Sequence, residues 1–397
     1  LYRNDKPTFA REFNSLYPEI KDHPAAQYWN ARLNFKPEVN SFGTGKELAV
    51  VLVISLFAGL IAQIPWFAGI EQDAFYQRNI GFVVFPALTF YFAWKRKAQT
   101  MKTLAITTVM LLAAWYMHLL SDNSNGDTYI LACIHLPLFL WALTGFVFTG
   151  FNLRDFALRL DYLRFNGDLF VMTAVLLIAG GLMTGITMGL FELIGINIEA
   201  IFTQYILIFG LAAVPVIATY LVQVNPQMVS KVSPVIARVF TPLVLVMLVV
   251  YLIAVIYTGR DPFNDREFPL IFNLLLIGVM AIIFFAIAGI PNNTHHTTTI
   301  VLLFCLAVLT IVVNGIALSA ILFRIGEWGM TPNRLAVAGT NILFLLNLLI
   351  VAYMLFMVVR SKKEIENVGN SIASFLPIYT LWIMLVVFVF PLLFNYN

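Results

Sequence analysis

The stretch RIGEWGMTPNR, residues 324 to 334, sets Arg324, Glu327 and Arg334 among two glycines and a proline, between two long apolar runs. A second break, GRDPFNDREFP at 259 to 269, carries Arg260, Asp261, Asp265, Arg266 and Glu267. Guanidinium groups beside carboxylates can do one of two things. They pair across loops and pin them, or they hold a phosphate or carboxylate through forked hydrogen bonds. Thr331 or Asn333 suits a helix cap, with Pro332 beside it, so the first amides of the following helix would point out of the break toward an anion. Pairing is the preferred reading, because two arginines alone do not define a phosphate site.

Other chemistry-bearing residues are sparser. His118, Asp122, Asp127 and His135 lie near one another in sequence, but their spacing matches no tight zinc signature, and no metal or other cofactor is expected. Glu71 and Asp73 sit in a short loop loosely similar to the acidic first loop of membrane glycosyltransferases, where a carboxylate acts as base or metal ligand. His295 and His296 adjoin at a turn and read as loop residues. No phosphate-binding P-loop, dinucleotide glycine fingerprint or G-x-S-x-G elbow occurs, so ATPase, dinucleotide and serine-hydrolase readings lack support.

The elements that must position these residues are membrane helices. With 60% hydrophobic and 11% charged residues and a mean hydropathy of +0.85, the chain lies far outside the soluble range. The expected fold class is all-α, a polytopic transmembrane helical bundle. Apolar runs predict eleven spans, near 48 to 66, 79 to 94, 103 to 120, 129 to 151, 168 to 193, 199 to 223, 233 to 258, 268 to 289, 299 to 322, 335 to 359 and 371 to 394. The second is short and holds Pro86, so a tilted or re-entrant helix is also open there. Alternate sides of this threading carry Lys and Arg in a ratio of 19 to 5, which favours a cytoplasmic N-terminus. Residues 1 to 47 form a polar cytoplasmic segment with a short helix capped by Thr8, and 48 to 397 form the membrane domain. The first span acts as insertion signal unless the chain starts further upstream.

Between the fourth and fifth spans, the connector at 152 to 167 opens with NLRDFALRLDYLRF, which puts Leu153, Phe156, Leu160 and Leu163 on one side, with Asp155 and Arg159 four apart and Asp161 and Arg164 three apart. This reads as an amphipathic connector on the inner leaflet, its arginines near anionic lipid, or as a plain solvated link. Gly181, Gly185 and Gly189 recur every four residues and predict close helix packing. Gln63, Asn273, Asn314 and Asn347 are expected to form interhelical hydrogen bonds. Cys133 and Cys305 read as small core residues. No Asp, Glu, Lys or Arg falls near the centre of a predicted span, which weakens a proton-driven mechanism.

RIGEWGMTPNRLAV, with SPVIARVFTPL and DPFNDREFPLIFN upstream, resembles a family of bacterial multi-pass membrane proteins over about residues 230 to 360. That family is known as an uncharacterised domain of unknown function, the one numbered four-one-five-three. The resemblance implies a location in the bacterial cytoplasmic membrane and brings no catalytic residues. Three functions stay open. The preferred one is transport or handling of a lipid or solute through an outward-facing polar site between the seventh and tenth helices. The second is a non-catalytic membrane subunit or assembly factor. The third, ranked last, is an envelope glycan- or lipid-modifying enzyme in which Glu71 or Asp73 meets Asp261 or Asp265. Expected partners are the lipid bilayer, including anionic lipid, and a protein partner or second copy; nothing points to nucleic acid.

Overall fold

The computed structural model describes residues 6–33, 43–120, 126–152, 154–226, 232–258, 268–288, 297–360 and 364–395. The chain divides into two units, Leu1–Thr44 and Gly45–Asn397. In the first, α1 (Lys6–Ile20) and α2 (Pro24–Leu33) meet through Phe9 and Trp29, whose ring centroids are 5.1 Å apart. Thr8 lies inside α1 rather than capping it, because the helix already runs from Lys6.

The second unit holds α3 (Gly45–Ala62), the single turn α4 (Ile64–Ala68), α5 (Gln72–Lys95), α6 (Thr100–Leu119), α7 (Asp127–Phe148) and α8 (Phe156–Leu193). It continues with α9 (Glu199–Val224), α10 (Val232–Thr258), α11 (Phe268–Ala288), α12 (Thr297–Trp328), α13 (Pro332–Val359) and α14 (Ile365–Leu393). Among the described residues there is no strand, and eight helices are long and apolar enough to cross a membrane: α3, α6, α7, α8, α9, α12, α13 and α14. The protein is thus a multi-pass helical membrane bundle, with its backbone polar groups satisfied within helices as hydrocarbon demands.

Hydrogen bonds show which helix ends lie together. At the near end, where α3 begins, Lys95 Nζ at the end of α5 donates to Glu47 at 2.8 Å, and Tyr91 Oη donates to the same carboxylate oxygen at 2.8 Å. At the far end, Tyr76 Oη donates to the carbonyl of Ala62 at 2.8 Å, and Arg78 Nε donates to Tyr129 Oη at 3.3 Å. The helix α5 has 24 residues, so it spans about 36 Å. The sequence suggested only 16 residues here because the first two turns are polar. Those turns are nonetheless helical, and Asn79 donates back to Phe75 O at 3.0 Å.

The largest departure from the sequence reading is α8. Residues 156 to 167 do not form a separate surface helix; they are the first three turns of a 38-residue helix capped by Asp155, which accepts from the amides of Ala157 and Leu158. Capping is the better use of Asp155, since it satisfies two orphan amides, whereas the expected pair with Arg159 would have been solvated. The other expected pair, Asp161 with Arg164, is present at 2.9 Å. Leu160 and Leu163 join the core built from α10 to α14, while Tyr162 and Phe165 join the core of α3, α5, α7 and α9. Tyr162 Oη donates to Trp141 O at 2.8 Å, and Trp141 Nε1 donates to Asn166 Oδ1 at 2.8 Å. The start of α8 therefore locks the two sets of helices together.

Close helix approach occurs at other glycines than those the spacing singled out. A Cβ at Gly145 would sit 2.7 Å from Tyr162, one at Gly369 would sit 2.7 Å from Leu160, and Gly59 and Gly339 lie against the rings of Phe209 and Trp382. Among the described residues nothing lies within 4 Å of a Cβ built at Gly181, Gly185 or Gly189. The polar amides behave as expected for hydrocarbon: Asn314 Nδ2 donates to Asn341 O at 3.0 Å and Asn347 Nδ2 to Tyr379 Oη at 2.8 Å. Cys133 is buried, but Cys305 is exposed on α12 rather than in the core.

Candidate functional site

The polar break at 324 to 334 is much shorter than its composition suggests. The helix α12 continues through Arg324 and Glu327 to Trp328, leaving only Gly329, Met330 and Thr331 before α13. Gly329 takes φ +78°, the left-handed conformation that ends a helix at no steric cost. Thr331 caps α13 by accepting from the amide of Arg334 at 3.3 Å, with Pro332 following it. Arg334 Nη1 donates to the carbonyls of Trp328 at 2.9 Å and Gly329 at 2.6 Å, and its guanidinium lies 5.7 Å from the centroid of the Trp328 ring. Those bonds staple the turn. Arg324 is buried, whereas Glu327 and Asn333 are exposed. Arg260, Asp261, Asp265, Arg266 and Glu267 lie outside the described residues, as do Asp122, His295 and His296. Among the described residues no three His, Cys, Asp or Glu side chains gather as a metal site requires. His118 and His135 each place Nδ1 2.8 Å from a carbonyl of their own helix.

A cavity of about 790 Å³ lies elsewhere, between α5 and the first half of α9 with Ala62 of α3 at its wall. Its far end is polar, with Gln72 and Tyr76 on α5 and Glu199, Thr203 and Gln204 on α9. Its deeper part is apolar, with Val83 and Val84 facing Ile208, Leu211 and Ala212. Both helices start at the far end and run the same way, so the polar-to-apolar change follows the helix axes. From Gln72 to Val84 the groove extends about 18 Å at 1.5 Å per residue. Trp66, exposed on α4 at the same end, is of a residue type that settles at a membrane–water interface.

Two local features shape this groove. Pro65 stands in the first turn of α4, and the chain turns away from α3 there, so the Ala62 carbonyl accepts from Tyr76 rather than from its own helix. On the other wall, Phe202–Leu207 is wound as a wider π-helical stretch, which breaks the regular α-helical hydrogen-bond ladder. The carbonyl of Gln204 accepts a hydrogen bond from Gln63 Nε2. Gln63 is 1% exposed, and its Oε1 has no hydrogen-bond partner among the described residues. A buried acceptor left unpaired is costly, and this one lies behind the groove, beside its lining residues Ala62 and Gln204. Sequence reasoning singled out Gln63 as a polar residue of the first span. It did not bring Gln63 to Gln204, because the two are 141 residues apart.

The fold and groove define a helical membrane bundle with an amphipathic cleft open to its surroundings. No family model, curated protein or solved structure matches the chain.

Proposed function

We propose that this chain is a lipid-handling membrane protein that takes an amphipathic molecule into the groove between α5 and α9. The observation that supports this reading best is the gradient along the groove: hydrogen-bonding side chains at the interfacial end, aliphatic side chains below. A molecule with a polar head and an acyl tail matches both parts: the tail exchanges lipid neighbours for equally apolar side chains, and the hydrogen-bonding end receives the head. The same surroundings would leave a wholly polar solute facing aliphatic walls. In this proposal α3 and α5 to α14 make eleven spans. The near end, which carries Lys95, Arg96, Lys97, Arg154, Arg159 and Arg164, is cytoplasmic, so the groove opens toward the outer leaflet. The resemblance over about residues 230 to 360 adds the expectation of a bacterial cytoplasmic membrane. The outward-facing site is thus placed at α5 and α9 rather than between the seventh and tenth spans, with the turn at 324 to 334 in a structural role.

The test is retention of lipid by the full chain purified in mild detergent, read by native mass spectrometry. Leu211 lines the groove and is exposed, so Leu211→Trp fills the groove without entering the core. The expected outcome is one bound lipid fewer in Leu211→Trp than in the wild type at equal thermal stability. Equal retention in the two proteins rejects the groove as the site.

A second reading, a membrane subunit that docks on a partner, is favoured by α8. Its most apolar window buries no residue within this chain, and the stripe of Gly181, Gly185 and Gly189 lies open there. Native mass spectra showing only the monomer, with no co-purifying subunit, count against it.

A further inference from the structure

At the near end, a second and smaller cavity of about 260 Å³ lies between α7, the start of α8 and α14. Trp141, Phe146, Leu376, Leu381 and Met384 make its walls apolar, and Arg159 stands at its rim. From Trp141 to Thr149, and again from Leu376 to Met384, the walls run eight residues, or about 12 Å of groove. Thr149 also lines it, but its hydroxyl already donates to Phe146 O at 3.1 Å.

Arg159 is the unusual member. Its Nη1 donates to Ala373 O at 3.1 Å, and its guanidinium lies 5.3 Å from the centroid of the Phe156 ring. Its Nε–H is buried and has no acceptor among the described residues. Among the described residues no carboxylate pairs with it, whereas Arg164 on the same helix bonds Asp161 at 2.9 Å. A guanidinium whose charge is unmatched, with a buried donor unspent, at the rim of an apolar groove, is short of one anionic acceptor that arrives with an apolar body.

The geometry points to a specific site for an anionic membrane lipid, its phosphate held by Arg159 and one acyl chain laid in the groove between α7 and α14. The site is independent of the α5–α9 groove and lies at the opposite end of the bundle. Its lipid ties the start of α8 to α14, beside the place where Arg159 already bonds Ala373 and Gly369 admits Leu160.

The experiment exchanges full-length protein into mixed micelles of equal phosphatidylglycerol and phosphatidylcholine, and counts the lipids retained by native mass spectrometry. Wild type is expected to keep phosphatidylglycerol in preference to phosphatidylcholine. Arg159→Met should reduce that retention about tenfold, the scale of one charge-assisted hydrogen bond, and abolish the preference. Leu381 is 59% exposed, so Leu381→Trp blocks the groove without endangering the fold, and it too should lose the lipid. In the Leu211→Trp background, where the other groove is blocked, the loss of phosphatidylglycerol caused by Arg159→Met should be the same as in the wild type; its disappearance there would overturn the assignment to this site. No preference in the wild type, or full retention in either Arg159→Met or Leu381→Trp, overturns the inference. Displacement by inorganic phosphate overturns it as well, because a lipid held by its chain resists a soluble anion.

Discussion

Gly339→Ala is expected to destabilise the protein, while Gly181→Ala leaves stability unchanged or raises it. Alanine normally gains roughly 1 kcal/mol over glycine inside a helix, because it loses less backbone freedom on folding. At Gly339 that gain is outweighed. The added methyl would enter the space of the Trp382 indole, which is fixed from two sides. Trp382 Nε1 donates to Thr340 Oγ1 at 3.1 Å, and its ring meets Phe390 edge-on at a centroid distance of 5.9 Å. Moving a large ring held in this way costs about 1–3 kcal/mol. Gly181 meets nothing, so only the backbone gain is left there. Thermal unfolding of both variants in one detergent decides the matter. A lower midpoint for Gly181→Ala than for Gly339→Ala would mean that the close approach of α13 and α14 is wrong.

The second large effect is expected at Gln63. In Gln63→Leu the Gln204 carbonyl loses its donor in a stretch whose regular ladder is already broken, at a cost of about 1–3 kcal/mol. The wall of the groove should loosen locally before the bundle does. Hydrogen exchange is expected to rise over Phe202–Leu207 and stay constant in α12 and α13. Uniform exchange across α9, or no change at 202 to 207, would show that Gln63 does not hold this stretch.

Much of the bundle is legible in the sequence, because apolar runs of membrane length have few alternatives. The Asp161–Arg164 pair, the cap at Thr331 and the interhelical bonds of Asn314 and Asn347 follow from local spacing or from the need to satisfy an amide in hydrocarbon. What spacing could not reveal is which neighbour arrives. The stripe at Gly181, Gly185 and Gly189 has the right period for packing, yet Gly59, Gly145 and Gly339, with no such period, meet rings from other helices. The segment 156 to 167 has the charge pattern of a surface helix, but one face is buried because two separate cores close on it. Arg324 and Arg334 stand out as charges in an apolar region, and that salience drew attention to a turn only three residues long. The groove was hidden for the opposite reason. Its polar residues are single amides, hydroxyls and one glutamate near helix starts, and they converge only when α5 and α9 are side by side.

The central claim is that the α5–α9 groove holds a lipid in a manner different from the general lipid surface. Photocrosslinking in native membranes tests it directly. A benzophenone amino acid is placed at Ile208, which lines the groove, and for comparison at Leu182, which is 65% exposed on α8. The expected result at Ile208 is an adduct dominated by one lipid species and suppressed by Leu211→Trp, against a mixture reflecting bulk composition at Leu182. The same mixture at both positions, insensitive to Leu211→Trp, would mean that the groove is ordinary lipid-facing surface and that lipid handling there is not what this protein does.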